Sequence, residues 1–186
     1  MSETVKDIRI VLVSDNHGDR KSLQFLKETY ADYDYFIHLG DSDLPLSEME
    51  GFLCVAGNHD IQYQGQVPDY RVLELNGHRI YICHGHMDFF SYYHYGPMVM
   101  HAKAHNCDTV FFGHVHTYHD TELDGVRLLN PGSVFHNRDG TSPTYMLITV
   151  KEKGLVVQGV TCKAKTPTRR EGWLFRLLNR ISGVSD

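Results

Sequence analysis

The sequence Val11-Leu12-Val13-Ser14-Asp15-Asn16-His17-Gly18 decides how the rest of the chain is interpreted. Its apolar part is typical of a buried strand, which ends at a carboxylate and an imidazole two residues apart. In an extended chain residues i and i+2 project to the same side, so we expect Asp15 and His17 to reach one point. Ligands of open α/β sheets bind at this edge. A single such pair is more often a surface carboxylate beside a solvated histidine, so the interpretation depends on recurrence.

The same pattern follows four further strand-like runs. Each of these runs is followed by polar residues that can bind a metal ion: Asp41, then Asn58, His59 and Asp60, then His84 and His86, then His114 and His116. A structural protein is not expected to end its buried strands in Asp, Asn or His so often. The set predicts nitrogen and oxygen ligands, which suit Mn, Fe, Zn or Co. The number of candidate ligands is larger than one closed zinc site needs, and it is about right for two metal ions that share a bridging ligand.

The composition is that of a single domain with a proper hydrophobic core. The chain has 186 residues, of which 41% are hydrophobic, and this is enough for one domain. The net charge of -5 argues against stable binding of duplex nucleic acid, which depends on many basic contacts to phosphates. The 13 histidines are unusual, and they raise the question of where they lie, because histidine is the commonest metal ligand.

We expect a cytoplasmic protein without a membrane span. No run approaches the ~20 apolar residues that a span needs, and residues 1–7 lack the apolar region of a signal peptide. The cysteines are scattered and form no Cys-x-x-Cys pair. We therefore interpret them as reduced thiols rather than as a disulfide framework or a zinc knuckle.

Apolar periodicity predicts an α/β protein whose strands alternate with helices. The predicted strands cover residues 8–14, 35–39, 52–56, 70–75, 79–83, 109–112, 126–129, 144–150 and 155–161, and the predicted helices cover 19–30, 45–50 and 97–105. Asp19 can cap the first helix. Asn76-Gly77 between two strand-like runs predicts a tight β-hairpin.

The composition changes near the end, so we predict one domain over residues 1–162 and a tail over 163–186. Basic residues come first in the tail, and apolar residues then recur at helical spacing from Trp173 to Ile181. This pattern predicts a basic linker and an amphipathic C-terminal helix. The helix would pack on the domain or on a neighbouring subunit; the alternative is a helix that binds a membrane surface or a partner.

Taken together, the motifs resemble the full set of the calcineurin-like metallophosphoesterases: Asp15-x-His17, Gly40-Asp41, Gly57-Asn58-His59-Asp60, His84 and Gly113-His114-x-His116, in that order. The short length, His84-Gly85-His86 and Asn130-Pro131-Gly132-Ser133 resemble the small prokaryotic phosphodiesterase branch of that superfamily (YfcE-like). The resemblance spans about residues 9–161. It implies a four-layer α/β/β/α sandwich with mixed sheets.

The resemblance also implies which residues would bind each of two divalent metal ions. One ion would be held by Asp15, His17 and His116, the other by Asn58, His84 and His114, and Asp41 would bridge both. Manganese is the expected metal, and Fe, Zn, Co and Ni are alternatives. A hydroxide that bridges the two ions would attack phosphorus in line, with both ions neutralising charge on the phosphoryl oxygens.

Further site residues follow from the same resemblance. His59 would act as a proton donor on the leaving-group side, and Asp60 would orient it. His86 is a candidate for substrate binding, and Arg138 is a candidate phosphate clamp. Apart from the resemblance, the aromatic composition of residues 89–95 indicates that this stretch would either stack a base or an aryl leaving group, or pack in the core or an interface.

We therefore predict a phosphoesterase that hydrolyses phosphodiesters of small substrates. A nucleotide or phosphoprotein monophosphatase is the alternative among enzymes. Many members of the branch have cysteine at the position of His59, and histidine there favours monoester hydrolysis. A non-catalytic scaffold, like the retromer subunit of the same fold, is the alternative outside enzymes, although a scaffold would be expected to have lost metal ligands that this chain retains. The resemblance is also consistent with a homodimer or a higher homo-oligomer.

Overall fold

The computed structural model describes residues 5–88 and 94–162, in which two five-stranded sheets pack face to face between two helices. The strands are β1 (Ile8–Val13), β2 (Tyr35–His38), β3 (Leu53–Cys54), β4 (Tyr70–Leu75), β5 (His78–Cys83), β6 (Thr109–Phe111), β7 (Tyr118–Leu123), β8 (Val126–Pro131), β9 (Thr144–Lys151) and β10 (Gly154–Thr161). The helices are α1 (Arg20–Thr29) and α2 (Gly96–Ala104). The predicted tail over 163–186 and most of the aromatic stretch over 89–95 lie outside the described residues.

The first sheet has the strand order β10-β9-β1-β2-β3. Strands β1, β2 and β3 are parallel, because α1 and a 3-10 turn (Leu46–Met49) carry the chain back between them. Strands β9 and β10 complete the sheet as an antiparallel hairpin beside β1. The segments that follow β1, β2 and β3 therefore leave the sheet at one edge, and these are the segments with Asp15, Asp41 and Asn58.

The second sheet has the order β4-β5-β6-β8-β7. Its first two strands form the predicted hairpin, with Asn76 and Gly77 at φ values of 49° and 83°, as the favoured two-residue turn requires. Strands β5, β6 and β8 run parallel. The segments that follow β5 and β6 therefore also leave at a common edge, and they contain His84 and His114.

Three layers of apolar side chains separate the four layers of secondary structure. Residues of both sheets fill the central layer, among them Ile10, Leu12, Ile80, Ile82 and Phe111. The outer layers lie under α1, where Val11 and Val13 meet Leu23 and Leu26, and under α2, where Val110 and Phe112 meet Met98 and Val99. The alternation along β1 sends its side chains to both faces of the first sheet. The predicted α/β/β/α sandwich is confirmed.

Local signals predicted most element boundaries, and the exceptions have identifiable causes. Asp19 caps α1 by accepting hydrogen bonds from the amides of Lys21 (3.1 Å) and Ser22 (3.2 Å), a contact that contributes about 1 kcal/mol. The helix predicted over 45–50 is a single 3-10 turn. Strand β7 was not predicted, because four of its six residues are exposed and its sequence shows no apolar alternation. Pairing with β8 holds it in place.

The four cysteines carry free thiols, and Cys54, Cys83 and Cys107 are buried. Within residues 5–88 and 94–162, no helix combines the length and the apolar composition needed to cross a membrane.

Candidate metal centre

The predicted metal ligands converge because the chain turns sharply where each strand ends. The residues at these turns have φ values in the left-handed region although they are not glycine: Asp15, His17, Asp41, Asp43, His114 and His116. We expected extended segments at Asp15-x-His17 and His114-x-His116, and this expectation was wrong. Left-handed backbone brings the two side chains of each pair to one place instead. Such conformations cost about 1–3 kcal/mol each and concentrate at functional sites.

The first ligand group consists of Asp15, His17 and His116, whose ligand atoms lie within 4.8 Å of one another. The His17 and His116 Nε2 atoms are 3.3 Å apart, and His116 Nε2 is 3.0 Å from Asp15 Oδ1. Each imidazole donates from Nδ1, His17 to Asp43 Oδ2 (2.9 Å) and His116 to the carbonyl of His136 (3.0 Å). In the neutral rings both Nε2 atoms are therefore unprotonated, and each carries a lone pair.

Two lone pairs and a carboxylate oxygen that face each other need a cation between them. Asp15 Oδ1 is fully buried and has no hydrogen-bond partner, an arrangement that costs free energy in a protein interior. A divalent ion bound by these three atoms would remove that cost. The donor set of one carboxylate and two neutral imidazoles suits Mn, Fe, Zn or Co. The residues present therefore fit the metal that the motifs imply.

The second ligand group consists of Asp41, His84 and His114, which also lie within 4.8 Å of one another. His84 Nδ1 donates to the carbonyl of Leu39 (2.7 Å), so Nε2 faces Asp41 Oδ2 (3.4 Å) and Asn58 Oδ1 (3.2 Å). These are again acceptor atoms turned toward one another. Because His84 Nε2 is also 4.0 Å from Asp15 Oδ1, the two ligand groups are adjacent.

Charge and burial keep Asp41 and His114 in the states that bind metals. Burial raises the pKa of Asp41, but His84 and the His59 amide outweigh it, and the pKa ends well below its usual range. Burial, together with repulsion from His84, lowers the pKa of His114 to about 4. Burial lowers the pKa of His84 as well, but Asp41 and Asp15 outweigh it and the net shift is upward. Near neutral pH Asp41 is therefore ionised and His114 is neutral.

Two glycines let the strand ends approach closely enough to form the site. A Cβ atom on Gly57 would overlap the backbone and carboxylate of Asp41, and one on Gly113 would overlap the Ser14 hydroxyl and lie 3.0 Å from Asp15 Oδ2. Both glycines directly precede a ligand motif. Their presence in the motifs is therefore explained by space rather than by chain flexibility.

The structure gives Asp60 a different place from the predicted one. Its carboxylate is buried and accepts hydrogen bonds from the backbone amides of Asp41 (2.7 Å), Ser42 (2.9 Å) and Gly57 (2.9 Å). Asp60 precedes a 3-10 turn (Ile61–Tyr63) but makes no side-chain capping bond to it. The prediction that Asp60 orients His59 is therefore wrong: Asp60 fixes the loop of Asp41 instead.

Asp43 takes the place that was predicted for Asp60. Its Oδ2 lies 2.9 Å from His17 Nδ1, and its Oδ1 lies 3.8 Å from His59 Nδ1. The sequence analysis missed Asp43, although its position two residues after Asp41 repeats the Asp-x-Asp spacing of paired carboxylates. The centroids of the His17 and His59 rings are 5.3 Å apart. The Asp43 carboxylate therefore lies beside both the proposed ligand His17 and the proposed acid His59.

The two predicted substrate residues lie beside the second ligand group. The His86 ring is 5.4 Å from that of His84 and 6.3 Å from that of His114, and its buried Nδ1 has no hydrogen-bond partner. Arg138, at an exposed position, donates from Nη1 to the carbonyl of His114 (3.2 Å). Both are close enough to meet a group bound at the metals.

Comparisons with known proteins agree with this geometry. A family model of the calcineurin-like phosphoesterase superfamily domain matches residues 8–153. The chain is 28% identical over 160 residues to the probable metallophosphoesterase YsnB of Bacillus subtilis, covering 81% of this chain and 89% of YsnB. It is 25% identical over 166 residues to a protein of Methanocaldococcus jannaschii named phosphodiesterase, covering 78% of this chain and 95% of the relative.

A solved structure has the same fold. A predicted phosphoesterase from Streptococcus pneumoniae superposes with a TM-score of 0.76 at 25% identity, covering 84% of this chain and 91% of the other. The matched family model spans all the strand ends that meet at the two ligand groups. The chain therefore belongs to the calcineurin-like phosphoesterase superfamily and is a metal-dependent phosphoesterase.

Proposed function

We propose that the protein is a dinuclear phosphodiesterase that acts on small phosphodiesters by in-line attack of an activated water. The observation that carries the proposal is the pair of adjacent ligand groups, in which lone pairs and carboxylate oxygens face one another. A single structural metal site would need only one such group. The relative named phosphodiesterase supports a diester as the substrate.

We assign one ion to Asp15, His17 and His116 and the other to Asn58, His84 and His114, with Asp41 between the two groups. Two divalent ions bound there supply a nucleophile from water near neutral pH and neutralise charge on the phosphoryl oxygens. Manganese is the metal we propose, and the nitrogen and oxygen ligands also suit Fe, Zn, Co and Ni.

The residues of the chain itself orient the reactants. His59 is 56% exposed at the open side of the first ligand group, where its imidazole can give a proton to the departing oxygen. Asp43 accepts a hydrogen bond from His17 Nδ1 (2.9 Å), and its other carboxylate oxygen lies 3.8 Å from His59 Nδ1. Arg138 would contact a non-bridging phosphoryl oxygen.

The test is hydrolysis of bis-p-nitrophenyl phosphate beside p-nitrophenyl phosphate. Metal-stripped protein is assayed with Mn, Co, Ni, Zn or Mg added back, and Asp41→Asn is the control for adventitious activity. We expect metal-restored hydrolysis that is faster on the diester and absent in the control. Faster hydrolysis of the monoester would replace the proposal with a phosphomonoesterase. Binding of two ions without hydrolysis of either ester would replace it with a scaffold of the same fold.

A further inference from the structure

Phe135 presents an exposed aromatic ring beside the first ligand group. The ring is 44% exposed, and its centroid is 6.0 Å from that of His17 at an interplanar angle of 64°. A phenylalanine gains most of its stabilising free energy from burial. Phe135 contributes little to the protein interior, since it belongs to none of the three clusters of apolar residues that form the core layers.

The loop that carries Phe135 is fixed to the metal ligands by hydrogen bonds. The Ser133 hydroxyl donates to the carbonyl of Asp15 (2.7 Å) and accepts from the amide of Phe135 (3.0 Å). The carbonyl of the next residue, His136, accepts a hydrogen bond from His116 Nδ1 (3.0 Å). The buried Asn137 side chain accepts from the amide of Ser133 (2.7 Å). The backbone position of Phe135 relative to the proposed ligands is therefore set before any ligand binds.

Other exposed apolar side chains also follow the ligand loops. Ile61 comes two residues after His59 and is 77% exposed, and Met87 follows His86 directly and is 67% exposed. The phosphoryl group itself is ionic and interacts with metals and hydrogen-bond donors. An exposed apolar ring beside the ligands is therefore expected to meet another part of the substrate, namely a substituent esterified to the phosphate.

We propose that Phe135 is a stacking platform for a planar aromatic substituent of the phosphate ester, such as a nucleobase or an aryl group. A preorganised ring binds a second flat ring at low entropic cost and accepts any base, because every base has a π-face. Ile61 and Met87 are exposed as well but have no π-face, so they offer no stacking surface. This inference rests on the proposed phosphoesterase function and names its substrate class.

The test measures binding rather than turnover. The manganese-loaded protein is titrated calorimetrically with an adenosine phosphonate, whose phosphorus–carbon bond is not hydrolysed, and with methylphosphonate, which lacks base and sugar. We expect Phe135→Ala to weaken binding of the adenosine phosphonate by about tenfold and to leave methylphosphonate unchanged. Phe135→Trp should retain the base-dependent gain, whereas Phe135→Leu, which is apolar but has no π-face, should lose it.

A matched control is Phe25→Ala, which removes an exposed phenylalanine (56%, against 44% for Phe135) from α1. We expect it to bind both probes like the unmodified protein. Equal weakening of both probes by Phe135→Ala would overturn the inference, since the ring would then only support the loop. So would equal affinity of the unmodified protein for the two probes. Failure of the proposed function is recognised separately, as the absence of metal-dependent hydrolysis of any phosphate ester.

Discussion

The carboxylate of Asp43 holds the imidazole of His17, with Oδ2 2.9 Å from Nδ1. This contact fixes the proton of His17 on Nδ1 and turns Nε2 toward Asp15 and His116, as carboxylates beside metal-binding histidines commonly do. We predict that Asp43→Asn lowers metal affinity or turnover by about 10- to 100-fold. Metal titration of the stripped protein and the rate of diester hydrolysis measure the two effects.

Asp124→Asn is the matched control for that substitution. Asp124 and Asp43 both have left-handed φ values, of 50° and 55°, which asparagine tolerates as well as aspartate does. Asp124 lies in the β7–β8 turn and belongs to none of the ligand groups. If both variants lose activity equally, the loss comes from the fold and not from the contact with His17.

His59 should matter most for esters with poor leaving groups. A leaving group of low pKa departs as an anion without help, whereas an alkoxide needs a proton in the transition state. We therefore expect His59→Ala to reduce hydrolysis of an alkyl ester by about 100-fold and that of a nitrophenyl ester far less.

The metal content of His59→Ala should equal that of the unmodified protein, because His59 belongs to neither proposed ligand set. The ratio of kcat values for the alkyl and nitrophenyl esters is the quantity to measure. A fall of the same size on both esters would argue that His59 positions the substrate and donates no proton.

Gly57 should not tolerate even one added methyl group. A Cβ atom there would overlap the amide and the carboxylate of Asp41, so Asp41 must move and the second ligand group must open. We predict that Gly57→Ala lowers turnover by about a hundredfold and weakens metal binding.

Gly96→Ala tests whether any glycine replacement has this effect. A Cβ atom on Gly96 would lie 3.6 Å from its nearest neighbour, an ordinary contact, and Gly96 begins α2, where alanine is favourable. Its activity and thermal stability should match or exceed those of the unmodified protein. Full activity in Gly57→Ala would mean that the Asp41 loop adjusts without harm.

The sequence predicted the ligands better than it predicted how they are held. Asp15, His17 and His84 could be found because each follows an apolar strand, and the strand order brings those ends to one edge. The left-handed turns could not be predicted from residue types, since aspartate and histidine adopt them only when surrounding hydrogen bonds compensate.

The wrong role predicted for Asp60 also comes from a backbone conformation that residue types do not reveal. Asp60 is next to His59 in sequence, but its carboxylate accepts hydrogen bonds from the backbone amides of Asp41 and Ser42. Asp43 is sixteen residues from His59 in sequence and faces it across the site. Neighbours along the chain indicate contacts only where the backbone conformation between them is known.

The buried His38 should make the metal-free protein sensitive to acid. Its ring accepts from the amide of Gly40 at Nδ1 (3.2 Å) and donates to Asn16 from Nε2 (2.9 Å), a pattern that only the neutral ring can form. Burial, partly offset by Asp60 and Asp15, lowers its pKa from 6.5 to about 4. Between these values the unfolded chain takes up a proton that the folded protein does not, so stability falls as the pH is lowered.

We expect His38→Gln to remove about 2 kcal/mol of the fall in unfolding free energy between about pH 6.5 and about pH 4.5. Denaturant unfolding of the metal-free protein measures this difference, and metal must be absent because its own pH-dependent binding would add to the slope. Glutamine can replace both hydrogen bonds without taking up a proton, so the difference isolates the ionisation. His94→Gln, at an exposed position, is the control for loss of any histidine. An unchanged acid slope in His38→Gln would show that the ring is protonated in the folded protein, and the hydrogen bond from Gly40 would then have to be broken.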